Sequence, residues 1–216
     1  MTWTDKFIFN KTSLNDSVKD PSKTNPLIPE KKVKDLIITD ALIPINKYSR
    51  PGSPCVPSHI VIHWTGNPGS SAKGNRDYFA NYCRVNEIYA GAHYIVGLKG
   101  EILKCIPENE IAYHAGGRSY TDYAQKTFYN IGIKRVYPHN KCIGIETCHP
   151  DLTGKFNDVT LEALIHLTAD IAKRNGIKID NIIKHHDVTG KDCPKWFVEH
   201  EDEWLSFKKE IETLMI

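Results

Sequence analysis

The stretch Ile60-Val61-Ile62-His63-Trp64-Thr65-Gly66-Asn67 decides the fold. Three β-branched residues in a row suit a strand buried in a sheet. The run ends on a histidine, an aromatic residue and a glycine, so the strand's polar end opens into a loop. Upstream, Pro51-Gly52-Ser53-Pro54 is a turn cluster, and Ile43-Pro44-Ile45 and Ile37-Ile38 are short apolar pieces broken by prolines. Before them, residues 1–35 are polar and without period, which suits a poorly ordered or draped arm. The folded domain is expected over residues 36–216.

Downstream, Tyr78, Phe79 and Tyr82 suit a short amphipathic helix over 75–83. Residues 93–98 suit a strand, Lys99-Gly100 a hairpin-like turn, and 101–106 its return. Cys142-Ile143-Gly144-Ile145-Glu146-Thr147-Cys148 suits another strand. The spacing predicts a helix over 160–175, with Leu161, Leu164, Ile165, Ile171 and Ala172 on one face and Gly176 as its cap. Asn181-Ile182-Ile183 suits a short strand leading into His185-His186-Asp187. A last helix over 200–214 turns Trp204, Phe207, Ile211 and Leu214 inward, anchored by Trp196 and Phe197. Strands alternate with helices, so an α/β domain built on a central sheet is expected.

Composition excludes several classes. The 216 residues are 40% hydrophobic and 25% charged, which suits one globular domain, a monomer by default. A formal net charge of +2 is too small to argue for nucleic acid, and Lys31, Lys32 and Lys34 read as a solvated segment. No apolar run reaches the ~18 residues of a membrane span, so no membrane insertion is expected. Residues 1–10 lack the pattern of a signal peptide, which points to cytoplasmic synthesis and action after release. Six cysteines in such a chain are expected to be reduced. Cys105, Cys142 and Cys148 sit in apolar runs and read as small buried hydrophobes. Cys193 stands in a chemical context.

That context is His185-His186-Asp187-Val188-Thr189-Gly190-Lys191-Asp192-Cys193-Pro194. A histidine at a strand end, a Gly-containing loop and a cysteine can bring two Zn2+ ligands to one point, with His63 best placed as the third. Three protein ligands leave one position for water. Spacing alone does not separate this from a buried cysteine with a surface histidine, and His186 stands as the rival to its neighbour.

Six ordered motifs carry a resemblance: residues 43–52 (Ile-Pro-Ile-Asn-Lys-Tyr-Ser-Arg-Pro-Gly), 60–67, Gly-Ala-His-Tyr-Ile-Val at 91–96, Tyr-His-Ala-Gly at 113–116, Ile-Gly-Ile-Glu at 143–146, and 185–194 ending in Cys-Pro. In this order they resemble the type-2 N-acetylmuramoyl-L-alanine amidases, which include phage and prophage endolysins and are related to peptidoglycan recognition proteins. The resemblance covers residues 36–214. It implies a central mixed β-sheet flanked by helices, with zinc in a surface cleft. It implies that His63, His185 and Cys193 bind Zn2+, that Glu146 is the catalytic glutamate, and that Lys191 stabilises the transition state. It implies that His114 lines the substrate cleft; Trp64 and Thr65, which follow a candidate ligand, read as walls of that cleft, with Trp64 equally readable as core. His93 reads as a packed histidine. Glu108 is either a second cleft carboxylate or structural.

The implied reaction is hydrolysis of the amide between N-acetylmuramic acid and L-alanine in peptidoglycan, in lysis or remodelling of a bacterial wall, as by a prophage enzyme. Two alternatives stand beside it: a non-catalytic peptidoglycan-binding module, against which Cys193 counts, and a recycling amidase for soluble anhydro-muropeptides. Residues 118–140, rich in Tyr and Phe, read as part of the substrate groove, a lid or an insertion. No separate wall-binding module is evident in the sequence.

Overall fold

The β-branched run becomes the middle of a sheet. In the computed structural model, which describes residues 36–129 and 137–216, strand β2 (His59–Trp64) is buried along all but its last residue. It lies parallel to β5 (Cys142–Thr147) on one side and to β6 (Ile182–Lys184) on the other. Beyond β5 lies parallel β3 (Tyr94–Val96), then antiparallel β4 (Ile102–Lys104), then β1 (Ile38–Asp40) parallel to β4. Among the described residues this is one mixed sheet of six strands, ordered β1-β4-β3-β5-β2-β6.

Parallel strands must be covered on both faces, and the period of two sorts the side chains between them. Ile60, Ile62, Ile143 and Ile145 point one way, into a core shared with helices α3 (Asp158–Asn175) and α6 (Glu201–Met215). Val61, Cys142 and Ile183 belong to a second cluster with Ala115, Phe128 and Val188. By the same alternation His63 follows Val61, and Glu146 follows Gly144, onto this second face. The α3 side is closed by apolar packing, so chemistry can open only on the other.

Helix α3 forms for local and tertiary reasons together. The Asn157 side chain accepts a hydrogen bond from Thr160 N–H at 2.9 Å, and Gly176 ends the helix at φ 63°. Leu164, Ile165, Ile171 and Ala172 are buried as the spacing predicts, whereas Leu161 is only half-buried. Helix α6 buries Trp204, Phe207, Ile211 and Leu214. Phe197, on α5 (Lys195–Glu199), packs its ring 5.1 Å from that of Phe207 and anchors the last helix.

Some elements differ from the sequence reading. Helix α1 (Ala72–Asp77) begins earlier than residue 75, because the Ser71 hydroxyl accepts from Gly74 N–H at 3.1 Å and caps it. It continues as a π-helical stretch, Tyr78–Cys83, which buries Ala80 and Cys83. Tyr78 and Tyr82, expected on the apolar face, are exposed and stack on each other at 5.2 Å. The wider π turn rotates the face that residues 78–83 present. Strands β3 and β4 are shorter than expected, joined by a turn in which Gly97 N–H donates to the Glu101 carbonyl at 2.8 Å. Short helices α2 (Asp122–Ala124) and α4 (His185–Thr189), like α5, are too brief to show a period. The expected arm, residues 1–35, lies outside the described residues, as does 130–136 within the aromatic stretch. All six cysteines are free and buried.

Candidate metal centre

Three parallel strands end side by side, and the site is built on their carboxyl ends, where ligands of open α/β sheets bind. His63 on β2 pairs in register with Glu146 on β5. His185 directly follows β6 as the first residue of α4. The chain then turns at Gly190, φ 76°, and folds back, so that His186 N–H donates to the Cys193 carbonyl at 2.9 Å. This return brings Cys193 beside His185.

His63, His185 and Cys193 are all buried, and each offers one ligand atom within 4.8 Å of the others. Cys193 Sγ lies 3.6 Å from His63 Nδ1. Two ligands held at about 2.1 and 2.3 Å from one tetrahedral ion would lie roughly 3.6 Å apart. The His63 and His185 rings are 4.7 Å apart, edge to face. His186, the rival, is turned away: its Nδ1 lies 3.1 Å from the Lys191 carbonyl oxygen.

The electrostatics suit a cation. Burial, with His185 next, holds His63 well below the ordinary imidazole range, and burial lowers His185 to about 4. Both are therefore neutral, the form that binds a metal. Burial pushes the Cys193 thiol up to about 12, raised further by Glu146 and opposed by the Trp64 backbone N–H and Lys191. Without a cation this buried thiol stays protonated; a divalent ion reverses that preference. His185 Nε2 is buried with no protein partner, while the Gly116 backbone engages the ring. An orphaned buried ring nitrogen beside a second imidazole and a thiol is a donor set that fits a zinc-type ion.

The donors floor a cleft of about 400 Å3. Glu146 and Lys191 line it. Glu146 Oε2 is buried without a partner, and burial raises the carboxyl to about 8 against the pull of Lys191. Trp64 and Thr65 both line the cleft, and Trp64 also stacks on His149 at 4.6 Å and packs against the core. His114 lies in the cleft wall but turns both ring nitrogens to protein partners. An adjoining cavity of about 650 Å3 shares Thr65, Phe79 and Glu146 and continues over Asn67, Ser70 and Asn75.

Glu108 is outside the cleft. It accepts two hydrogen bonds from Arg174 at 2.9 Å, one from Tyr94 Oη at 2.6 Å and one from Asn175 at 2.8 Å, tying a loop to the end of α3. His93 is packed: Gly144 N–H donates to its Nδ1, and its Nε2–H donates to the Glu110 carbonyl, each at 2.9 Å. Sequence reading missed Tyr89 and His139, which with Tyr113 form an aromatic wall of the cleft. No periodic signal marks them: Tyr89 sits on an irregular loop and His139 in a single 3-10 turn, Pro138–Asn140. The described part of 118–140 divides: Phe128 enters the core and His139 the wall.

A mixed sheet with two imidazoles and a thiol at the ends of its central strands, and an open cleft above them, defines an α/β protein with a candidate metal centre of catalytic type. The chain belongs to the type-2 amidase family: residues 52–196 match Amidase_2, described as N-acetylmuramoyl-L-alanine amidase. It is 33% identical over 181 residues to the N-acetylmuramoyl-L-alanine amidase BlyA of Bacillus subtilis (strain 168), covering 83% of this chain and 48% of that one. A probable N-acetylmuramoyl-L-alanine amidase of Bacillus licheniformis is 32% identical over 179 residues, covering 82% and 48%. The chain thus spans about half the length of these curated relatives. The solved catalytic domain of XlyA aligns at a TM-score of 0.61 and 26% identity, covering 81% of this chain and 99% of that one. A mutant endolysin from Bacillus subtilis aligns at 0.61 and 27%, covering 82% and 99%.

Proposed function

We propose that the protein is a zinc-dependent N-acetylmuramoyl-L-alanine amidase that hydrolyses the bond between the lactyl carbonyl of N-acetylmuramic acid and L-alanine of the stem peptide. The observation that carries this reading is the buried His63, His185 and Cys193 group, with Glu146 in register beside His63, in a chain of the amidase family. Bound by those three residues, Zn2+ would supply Lewis acidity and lower the pKa of water at the open position.

The protein's own residues account for the rest. Glu146, lining the cleft with an unpartnered Oε2, would take a proton from the attacking water and deliver it to the departing alanine nitrogen as the carbon–nitrogen bond breaks. Such a base contributes typically about 10²–10⁴-fold. Its low-dielectric setting keeps the proton on Glu146 until positive charge in the cleft draws it off, and Lys191 is part of that charge. Lys191, which also lines the cleft, would stabilise the carbonyl oxygen as it gains negative charge, and such a contact is worth about 3 kcal/mol. The aromatic wall and the polar cavity on the far side of Glu146 suit a substrate that extends past the cut bond in two directions. A wall-degrading role follows from that reaction.

The test is cleavage of purified bacterial wall. The zinc-loaded protein should expose new N-terminal alanine without new reducing sugar ends, and a chelator should stop it. Release of sugar ends, or no new alanine termini, would remove the assignment. Faster cleavage of soluble anhydro-muropeptides than of intact wall would favour a recycling role instead.

A further inference from the structure

His114 makes two hydrogen-bonding contacts that together leave one arrangement of protons. Its Nε2 lies 3.1 Å from the Cys142 carbonyl oxygen. A carbonyl only accepts, so Nε2 carries the proton. An uncharged imidazole carries a single ring proton. With one proton spent, Nδ1 is bare and can only accept. That atom lies 3.0 Å from His63 Nε2, so His63 must donate from Nε2. A neutral His63 then has a bare Nδ1, and Nδ1 is the atom that faces Cys193 Sγ.

An independent observation shows that the fold makes room for this ring. A Cβ on Gly144 would lie 2.4 Å from His114 Cγ and 2.6 Å from its Nδ1, closer than real contacts allow. Gly144 is not in the left-handed region, so space rather than backbone conformation demands a glycine there. Its N–H donates to His93 Nδ1, and the His93 ring lies 5.6 Å from that of His114. Strand β5 thus supplies both the carbonyl that orients His114 and the gap that admits it.

We propose that His114 is a positioning residue: by accepting one hydrogen bond it keeps the proton of His63 on Nε2 and so presents Nδ1 to the ion held with His185 and Cys193. Only the last clause rests on the function proposed above; the tautomer of His63 can be read in the metal-free protein. His114 acts through its neighbour, and its nitrogens are not available to substrate. Ligating histidines are commonly oriented by such an outer partner, whose loss costs about 10–100-fold in metal affinity.

The experiment reads ring-nitrogen NMR shifts of His63 in metal-free protein, alongside zinc affinity by chelator competition. Wild type should show Nδ1 bare and Nε2 protonated. His114→Phe keeps a ring over Gly144 and loses both nitrogens. It should give mixed His63 tautomers and a zinc dissociation constant raised about 10–100-fold, at near wild-type melting temperature. His114→Gln offers an acceptor oxygen and an N–H donor in one side chain, and should recover most of both. A proton on His63 Nδ1 in wild type overturns the proposal, and this holds even if the Phe variant does not fold. Wild-type tautomer and zinc affinity in a folded His114→Phe protein also overturn it. A protein that shows the expected tautomers yet never cleaves wall retires the amidase reading and leaves the relay standing.

Discussion

Glu146 and His63 show how strand register brings two residues to one site. They are distant in the chain, yet the parallel β2–β5 pairing sets them side by side on the face that α3 leaves open. In the proposed reaction Glu146 supplies a carboxylate and the three donors hold the metal, so the two roles should separate on mutation. Glu146→Gln is expected to lower kcat by about 10²-fold or more while zinc affinity stays near wild type; equal turnover would end its role as the base. Cys193→Ser is expected to weaken zinc binding by at least about tenfold and to lower activity in parallel, because a hydroxyl is a poorer ligand than a thiolate. Unchanged zinc content with unchanged rate would take Cys193 out of the donor set.

At the level of elements, the scaffold behind the site depends on α3, whose apolar face closes one side of the sheet. Its ends are set by side-chain and backbone chemistry independent of the cleft. Asn157→Ala leaves Thr160 N–H without its cap, and should cost about 1 kcal/mol in urea unfolding with kcat unaltered. Gly176→Ala meets no steric neighbour within 4 Å, so its expected cost of about 1 kcal/mol comes from the left-handed backbone alone. A much larger loss at Gly176 would mean that packing, not conformation, demands the glycine. The short α4 matters differently: it carries His185 at its first position, so the ligand's direction is that of a helix start rather than of a free loop.

For the whole molecule, buried histidines make stability depend on pH. Burial lowers His59 and His93 to about 4 in the folded protein, against about 6.5 when unfolded. Between those values the unfolded chain binds more protons, so stability is fully present above pH 6.5 and falls as the pH drops toward 4. Each group contributes on the order of 1 kcal/mol per pH unit in that window. The urea midpoint at pH 4.5 should therefore lie well below that at pH 7; a flat profile would mean that these rings open to solvent. Zinc should act in the other sense. At a free concentration 100 times its dissociation constant it should add about 2.7 kcal/mol, raising Tm by about 5 to 10 °C, and chelation should reverse this.

The chain's local patterns were sufficient for the buried strand at 60–62, the capped helix ending at Gly176 and the inward face of the last helix, and the ordered motifs, through the family resemblance, named His63, His185 and Cys193 as candidate ligands. Periodicity and ordered motifs are properties of neighbours along the chain, so they can be read from it. The tertiary structure alone decided that His186 turns away, that Glu108 ties a loop to α3, that Tyr89 and His139 join one wall, and that His114 meets His63 over Gly144. Those outcomes depend on which strands pair, in which register, and on which face helices leave uncovered. Such choices are made by packing between distant segments, and no local period records them.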